Sequence, residues 1–206
     1  MPEVPTPGAE APAGLTAGPT TGPEVERERG PLWWIIEWTL VIVVALVLAI
    51  GVRTYVVQTF FIPSGSMEPT LLVGDRILVL KVAYDFTNPA IGDVIVFRAP
   101  PSERSMCSDS GVQDLVKRIV GLPGQFIASR GNEILVNGKV EKQDWQHYAP
   151  LVSPIRPQLI PPNQYFVMGD NHPSSCDSRT WGTVPRSDIV GKVVLRIWPL
   201  SQFGTI

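Results

Sequence analysis

An uninterrupted apolar segment near the N-terminus constrains this chain more than any other feature. The 21 residues from Leu32 to Val52 carry one charged side chain, Glu37. As an α-helix the segment would be about 30 Å long, which matches the hydrocarbon core of a lipid bilayer. The tryptophans of its first turns, a residue type that favours membrane interfaces, are Trp33, Trp34 and Trp38. We therefore expect a transmembrane helix over residues 32–53, with the rest of the chain outside the bilayer.

The segment before this helix has a composition typical of disorder. Residues 1–31 contain seven prolines and five glycines, and such a segment cannot bury enough apolar surface to fold. A cleaved signal peptide would instead combine a short basic leader with an apolar stretch of about 7 to 15 residues. We therefore expect an uncleaved anchor preceded by a disordered tail. Arginines on both sides of the anchor, at positions 27, 29 and 53, leave its orientation open.

The composition excludes several classes of function. The 206 residues include 17 basic and 19 acidic side chains, for a net charge of −2 and without a long basic run. A nucleic-acid partner is therefore not expected. The two cysteines exclude a disulfide-dense scaffold and a four-cysteine zinc site. Because the two histidines have no carboxylates at metal-ligand spacing, we expect neither a metal nor another cofactor.

Beyond the anchor, short apolar runs alternate with turn dipeptides, a pattern typical of antiparallel β proteins. Asn137-Gly138 in particular favours a tight hairpin. No amphipathic helical period of useful length occurs after residue 60. We expect a mostly β fold, with one N-terminal transmembrane helix followed by an all-β domain over residues 54–206. The predicted strands are 76–81, 93–98, 114–121, 125–128, 133–136, 164–168 and 189–198.

The first motif that suggests chemistry lies just past the anchor. Ser64 and Ser66 flank Gly65 within an otherwise apolar stretch. One hydroxyl could attack a carbonyl carbon while the other, with a backbone N–H, faces the oxyanion, and the glycine permits close backbone approach. A Pro-Ser-Gly-Ser sequence is also typical of an ordinary turn. The motif by itself therefore leaves both interpretations open.

A nucleophilic serine needs a base, and the two histidines are poor candidates. His147 lies in a polar stretch beside Trp145 and Tyr148, and His172 precedes a proline. Lys117 is a better candidate because it lies among aliphatic residues in a predicted strand, where burial would disfavour the ammonium form. A solvated lysine on a strand edge is the alternative interpretation of the same pattern.

Three motifs together resemble the successive signature motifs of bacterial type I signal peptidases. They are PSGSMEPTL at 63–71, KRIVGLPG at 117–124, and GDN with DSRTWG between 169 and 182. They occur in the order found in that family, and the likeness extends from the anchor to Trp198-Pro199. The resemblance implies a membrane-anchored Ser/Lys serine endopeptidase with an all-β catalytic domain of the signal-peptidase type.

The resemblance also implies a location and a substrate. Residues 1–31 would be cytoplasmic, residues 32–53 would cross the cytoplasmic membrane once, and residues 54–206 would lie on its outer side. The partners would be the lipid bilayer and the signal peptides of exported precursor proteins. Cleavage would follow small residues of the Ala-x-Ala type, because narrow apolar pockets exclude larger side chains. An extended substrate would add as a strand beside residues 62–64 or 114–116.

The resemblance further assigns roles to individual residues. It implies that Ser66 is the nucleophile and Lys117 the general base. The Ser64 hydroxyl and the Ser66 N–H would stabilise the oxyanion, and Ser175 would orient the lysine amine. The implied supporting ion pairs are Arg118 with Asp170 and Asp177 with Arg179. The residues implied to line the substrate pockets are Phe60, Ile62, Met67, Leu71 and Val116.

One loop departs from the pattern of the family. Residues 172–176 read HPSSC, where many members have an arginine followed by an acidic or amide residue. Ser175 matches the lysine-orienting serine by its spacing in the motif, but Ser174 could take that role if the proline shifts the loop. His172 need not serve as the base, because Lys117 is present in its own motif.

The two cysteines are candidates for a disulfide. Cys107 and Cys176 both fall in the part of the chain assigned to the outer, oxidising side of the membrane. If Ser175 orients Lys117, the loops that carry the two cysteines must approach each other. Two unpaired thiols are the alternative, since a sequence gives no distance between them.

Two other classes of function remain open from the sequence. The first is a non-catalytic anchored β domain, such as an adhesion or scaffold module, in which both serines and Lys117 would be structural. The second is a self-cleaving Ser/Lys hydrolase of the repressor type, whose catalytic core resembles the expected fold. Because such a protein is soluble and carries a DNA-binding module, the predicted anchor argues against it. The sequence makes no prediction of the oligomeric state.

Overall fold

The computed structural model describes residues 31–107, 113–141 and 150–206. The tail expected over residues 1–31 lies outside this part of the chain except for Pro31, which begins the first helix. His147 also lies outside it. The chain separates into two compact units, one ending at Val44 and the other spanning Ala45–Ile206.

One long helix precedes the β structure. Helix α1 (Pro31–Gly51) is followed by one turn of π-helix (Val52–Val56). The side chains from Leu32 to Ile50 are exposed, and the most apolar 18 consecutive residues within Leu32–Val56 have a mean hydropathy of 2.7. By length and composition this segment is able to cross a membrane.

The residues after the helix form a mostly β fold, which confirms the predicted fold class. Described strand pairs are antiparallel. The described strands are β1 (Val57–Phe61), β2 (Arg76–Leu80), β3 (Val94–Arg98), β4 (Asp114–Gly121), β5 (Phe126–Arg130), β6 (Glu133–Val136), β7 (Lys139–Val140), β8 (Gln158–Leu159), β9 (Gln164–Met168), β10 (Val184–Pro185), β11 (Ile189–Trp198) and β12 (Gly204–Thr205). The short helices between them are α2 (Ala83–Phe86), α3 (Pro101–Met106) and α4 (Ser178–Trp181).

The strands form two sheets. The larger has the order β1-β2-β11-β3-β4-β9-β10, with β12 paired to β11. The smaller has the order β7-β6-β5-β8. In the smaller sheet Val136 pairs with Lys139, so Asn137 and Gly138 form a two-residue turn, with φ of 51° and 77°. Positive φ at both positions is the geometry that this dipeptide favours in a hairpin.

Near the serine motif, two strand segments of the larger sheet have a neighbour on only one side within the described chain. Strand β1 is the last strand of the sheet and pairs with β2. Strand β4 pairs with β3 from Asp114 to Arg118, but its pairing with β9 begins at Arg118. The edge of residues 114–117 that faces away from β3 therefore offers backbone N–H and C=O groups for pairing with another strand.

Three clusters of buried apolar side chains hold the β structure together. One includes Ile62, Met67 and Leu71 and lies next to the serine motif. A second surrounds Phe97 and Trp181, whose ring centroids are 6.0 Å apart. The third fills the smaller sheet and its junction with β9. Burial of such clusters against both sheets is the main stabilising contribution to a fold of this kind.

Candidate active site

The serine motif forms a tight turn that is fixed where it leaves β1. The backbone of Ile62 exchanges two hydrogen bonds of 2.9 Å with the turn that precedes β2. Ser64 is extended, with φ −132° and ψ 155°, and a 3₁₀ turn follows over Gly65–Met67. This turn leaves Ser66 with 9% of its surface exposed. The Ser66 hydroxyl therefore lies in a mostly protein environment while its residue still borders an open groove.

Strand β4 brings Lys117 to this turn. The register of β4 opposite β3 pairs Lys117 with Ile95, a residue with no exposed surface. Lys117 is 4% exposed, and its Nζ donates a hydrogen bond of 2.7 Å to Ser66 Oγ. Desolvation disfavours the charged form of a buried amine. A neutral amine at this distance could accept the proton of the serine hydroxyl.

Gly169 lies where the serine turn and the loop after β9 meet. A methyl group at Gly169 would overlap the Ser66 carbonyl oxygen and the Ser175 side chain. The Ser175 hydroxyl oxygen is buried and, within the described residues, has no hydrogen-bond partner. Ser174 is exposed. The structure thus brings Ser175 close to the serine turn and leaves Ser174 at the surface.

Arg118 and Asp170 join the strand of the lysine to the loop after β9. Two parallel hydrogen bonds, from Arg118 Nε and Nη2 to the carboxylate of Asp170, measure 2.8 and 2.6 Å. The side chains of this pair are 9% and 1% exposed. Arg118 also donates to the carbonyl of Gly92 at 2.8 Å. A bidentate pair that is buried and further hydrogen-bonded fixes both backbones in one geometry.

Asp177 and Arg179 form a second pair of the same kind inside that loop. Arg179 donates from Nε and Nη2 to Asp177 at 2.8 and 2.7 Å, and Asp177 has no exposed surface. Arg179 also donates to the carbonyls of His172 and Ser175. Asp177 accepts from the Gly169 N–H at 3.2 Å. The described parts of the chain contain no cluster of three or more His, Cys, Asp or Glu residues that could hold a metal ion.

A groove of about 140 Å³ lies beside the Ser66–Lys117 contact. It runs between the two strand edges with free backbone groups, that of β1 and that of residues 114–117. The expected pocket residues that line it are Phe60, Ile62, Met67 and Val116. Pro63, Asp114 and Leu115 also line it and belong to the segments beside which a substrate strand was expected, whereas Phe61 is a lining residue that the sequence did not indicate. No local signal in the sequence shows that the β1 and β4 segments lie on opposite sides of one groove.

Leu71 differs from the other expected pocket residues. It has no exposed surface, belongs to the core cluster, and is absent from the lining of the groove. The Leu71 N–H donates to the Met67 carbonyl at 2.9 Å. This bond closes a turn after the serine motif, and the Leu71 side chain lies in the core that supports the motif.

A disulfide joins Cys107 to Cys176, with their Cα atoms 6.2 Å apart. It links the end of α3 to the loop that carries Ser175. A hydrogen bond of 3.2 Å from Ser102 Oγ to the Trp181 carbonyl joins α3 to α4 as well. The loop is therefore held by a covalent bond on one side and by the Asp177–Arg179 pair on the other.

The sequence of the whole chain was compared with those of known proteins. The sequence profile of the family described as signal peptidase, peptidase S26, matches residues 35–198. This interval includes the anchor helix from its fifth residue and every residue of the site described above.

Individual relatives agree with this match. A signal peptidase I of Leptolyngbya laminosa is 37% identical over 172 residues, which is 84% of this chain and 84% of the relative. A probable signal peptidase I-2 of Synechocystis is 36% identical over 88% of this chain and 81% of its own length. A signal peptidase I of Mycobacterium tuberculosis is 35% identical over 82% of this chain and 74% of its own length.

Proposed function

The chain belongs to the signal peptidase family, peptidase S26, and from this premise we propose that it removes N-terminal signal peptides from exported precursors with a Ser66/Lys117 dyad. One observation carries the proposal. Two side chains 51 residues apart in sequence, both almost excluded from water, are joined by a hydrogen bond of 2.7 Å at the side of a groove. Burial of the amine removes the water that would stabilise its positive charge and therefore favours the neutral form. A lysine must be neutral to act as a base.

The reaction proceeds through an acyl-enzyme. Ser66 Oγ attacks the carbonyl carbon of the scissile bond while its proton passes to Lys117 Nζ. The tetrahedral intermediate collapses with cleavage of the C–N bond, and Lys117 returns the proton to the leaving amine of the mature protein. A water molecule then attacks the Ser66 ester, with Lys117 again accepting a proton; as the acyl–oxygen bond breaks, Lys117 returns this proton to Ser66 Oγ and the signal peptide leaves with a new carboxyl terminus.

Three further groups support this chemistry. The Ser64 hydroxyl and the Ser66 N–H stabilise the oxyanion, and Ser175 orients the lysine amine. Support for Ser175 rather than Ser174 comes from its buried hydroxyl next to Gly169 and from the exposure of Ser174. The two arginine–aspartate pairs hold the loop in place around this centre.

The substrate binds as an extended strand in the groove and is cut after an Ala-x-Ala pattern. The free edges of β1 and of residues 114–117 both offer backbone hydrogen bonds to such a strand. Ile62 and Met67 are 3% and 1% exposed, so the apolar wall beside Ser66 gives little space to a side chain larger than alanine. Replacing the alanine before the cleavage site by leucine should therefore stop cleavage, whereas a serine there should be tolerated.

The protein is anchored once in the cytoplasmic membrane, with its N-terminus in the cytoplasm and its catalytic domain outside. The apolar segment Leu32–Val56 supports the anchor. The Cys107–Cys176 disulfide supports the orientation, because such bonds persist in oxidising compartments.

The test is cleavage of a secretory precursor by the detergent-solubilised full chain. Mass spectrometry should detect a mature-length product with the wild type and none with Ser66→Ala. Ser153→Ala is the matched control, since Ser153 is an exposed serine outside the groove, and it should cleave at the wild-type rate. Cleavage by Ser66→Ala, or none by the wild type, would contradict the proposed function and favour a non-catalytic anchored domain.

A further inference from the structure

Asn171, which follows Asp170 in the loop after β9, makes two hydrogen bonds to the turn of the nucleophile. Its side-chain Nδ2 donates to the Gly65 carbonyl at 3.0 Å. Its backbone N–H donates to the Ser66 carbonyl, also at 3.0 Å. These carbonyls belong to the two peptide units on either side of the Ser66 Cα atom. A single residue thus holds both peptide planes that flank the nucleophile.

The first of these bonds acts on the oxyanion donor. The Gly65 carbonyl and the Ser66 N–H are parts of one planar peptide group and point in opposite directions. A donor that fixes the carbonyl oxygen therefore also fixes the direction of the N–H. It polarises the same peptide group as well, which makes the N–H a stronger donor. The side chain of Ser64, the residue before this turn, does not cap it, so it does not compete for the N–H.

Asn171 is itself held in place. The preceding Asp170 is 2% exposed and forms the bidentate pair with Arg118, the neighbour of Lys117 on β4. The carbonyl of Asn171 accepts from the Ser174 N–H at 3.0 Å. The Gly65 carbonyl accepts a second bond, from the Glu68 N–H at 3.1 Å, and this bond closes the turn. The Asn171 side chain therefore occupies the remaining lone pair of that carbonyl.

We infer that Asn171 is a positioning residue for the oxyanion hole, acting through the peptide group between Gly65 and Ser66. It aligns the Ser66 N–H with the developing oxyanion of the tetrahedral intermediate, and it does not touch the substrate. The inference rests on the proposed function and goes beyond it, since it assigns a role to a residue outside the dyad, the oxyanion donors and the ion pairs.

The experiment compares the full chain in detergent as wild type, Asn171→Ala and Asn171→Asp. Aspartate keeps the shape of the side chain but, when ionised, has no proton to donate. With a precursor-derived peptide, kcat should fall about 10- to 100-fold in both variants. This decrease is smaller than or similar to the decrease in kcat expected when an oxyanion donor itself is removed. The KM should change by less than about twofold, because ground-state binding does not use the oxyanion hole.

A second measurement separates positioning from a merely structural role. A peptide aldehyde with the sequence of the signal-peptide end forms a tetrahedral adduct on Ser66, while the same peptide ending in a carboxamide does not. Both variants should bind the aldehyde about 10- to 100-fold more weakly and the carboxamide as tightly as the wild type. Because both dissociation constants are measured on the folded fraction, partial unfolding does not change their ratio.

The matched control is Asn132→Ala. It also removes a hydrogen bond between an asparagine side chain and the backbone, in this case the bond that Leu151 N–H donates to Asn132 Oδ1 beside the smaller sheet. It should leave kcat and the aldehyde-to-carboxamide ratio unchanged. A wild-type ratio and kcat in Asn171→Asp would overturn the inference alone. A wild type that does not cleave precursor would overturn the proposed function and the inference with it.

Discussion

Lys117 holds its terminal amine inside the protein, where Nζ donates a hydrogen bond to the Ser66 hydroxyl. The arrangement depends on the local sequence in two ways. Alternation along β4 turns the lysine towards Ser66, and the register with β3 places it opposite Ile95, which has no exposed surface. Burial of a lysine costs stability because the ammonium loses its hydration. The same cost favours the neutral amine, which is the form that can act as a base.

Substitution of Lys117 by arginine should abolish activity. A guanidinium remains protonated at all accessible pH values and cannot accept the serine proton, so turnover should fall at least about 100-fold. For the wild type, kcat/KM should rise with pH as the lysine loses its proton and should decline in acid. Steady-state cleavage of a peptide across pH measures both. Lys139→Arg is the control, because Lys139 is exposed on β7, and an active Lys117→Arg protein would exclude the dyad.

The two adjacent serines of the loop should differ in their effect. Ser175→Ala removes a buried hydroxyl beside Gly169 and the Ser66 carbonyl, and kcat should fall about 10- to 100-fold if that hydroxyl orients Lys117. Ser174→Ala alters an exposed side chain and should change kcat less than twofold. Parallel kinetics of the two variants decide between them. The opposite ranking would assign the orienting role to Ser174.

Among the elements, the strands bounded by turn signals could be predicted from the sequence, and the first strand and the short helices could not. The predicted strands 133–136, 164–168 and 189–198 coincide with β6, β9 and β11. Strand β1 was not predicted, because its apolar residues continue the apolar run of the anchor without a turn signal. Helices α2 to α4 have four to six residues, too few to show a helical period.

Some residues of the candidate site could likewise be predicted from the sequence and others could not. The motif residues could be located from the sequence because each motif is local and has a characteristic order. The position of Asp114 and Leu115 beside the substrate was expected from the resemblance, but no local signal shows that the free edge of β4 faces β1 across one groove. The resemblance implies that Leu71 lines the groove, yet the turn after Met67 places it in the core. Neighbours of this kind depend on sheet curvature and on turns, which long-range packing determines.

The disulfide between α3 and the Ser175 loop should contribute more to stability than to catalysis. It closes a sequence separation of 69 residues, and its loss should lower the free energy of unfolding by about 2 to 4 kcal/mol. Cys176→Ser should therefore reduce Tm clearly, while the Asp177–Arg179 pair keeps most of the activity. Cys107→Ser should have the same effect, and the double variant should lose no more than either one. Denaturation without reductant measures this, and additive losses would contradict a shared bond.

The β structure has the properties of a unit that folds independently of the anchor helix. Every member of the three core clusters lies between residues 60 and 206. Just after the helix, the Thr54 carbonyl accepts a hydrogen bond of 2.9 Å from Lys81 Nζ, which joins this part of the chain to the residue that follows β2. The anchor therefore contributes a location to the protein, while the clusters and the two sheets supply its stability.

A fragment that begins at Thr54 should separate these two contributions. It keeps the Lys81 contact and all three clusters, so it should unfold cooperatively and cleave a soluble peptide within about twofold of the rate of the full chain. On a precursor embedded in vesicles it should be at least about tenfold slower, because confinement of enzyme and substrate to one bilayer raises their effective concentration. Full-length Ser66→Ala in the same vesicles controls for other proteases. Equal rates of fragment and full chain on the embedded precursor would show that the anchor has no part in processing, and a fragment without a cooperative transition would show that the helix is needed for folding.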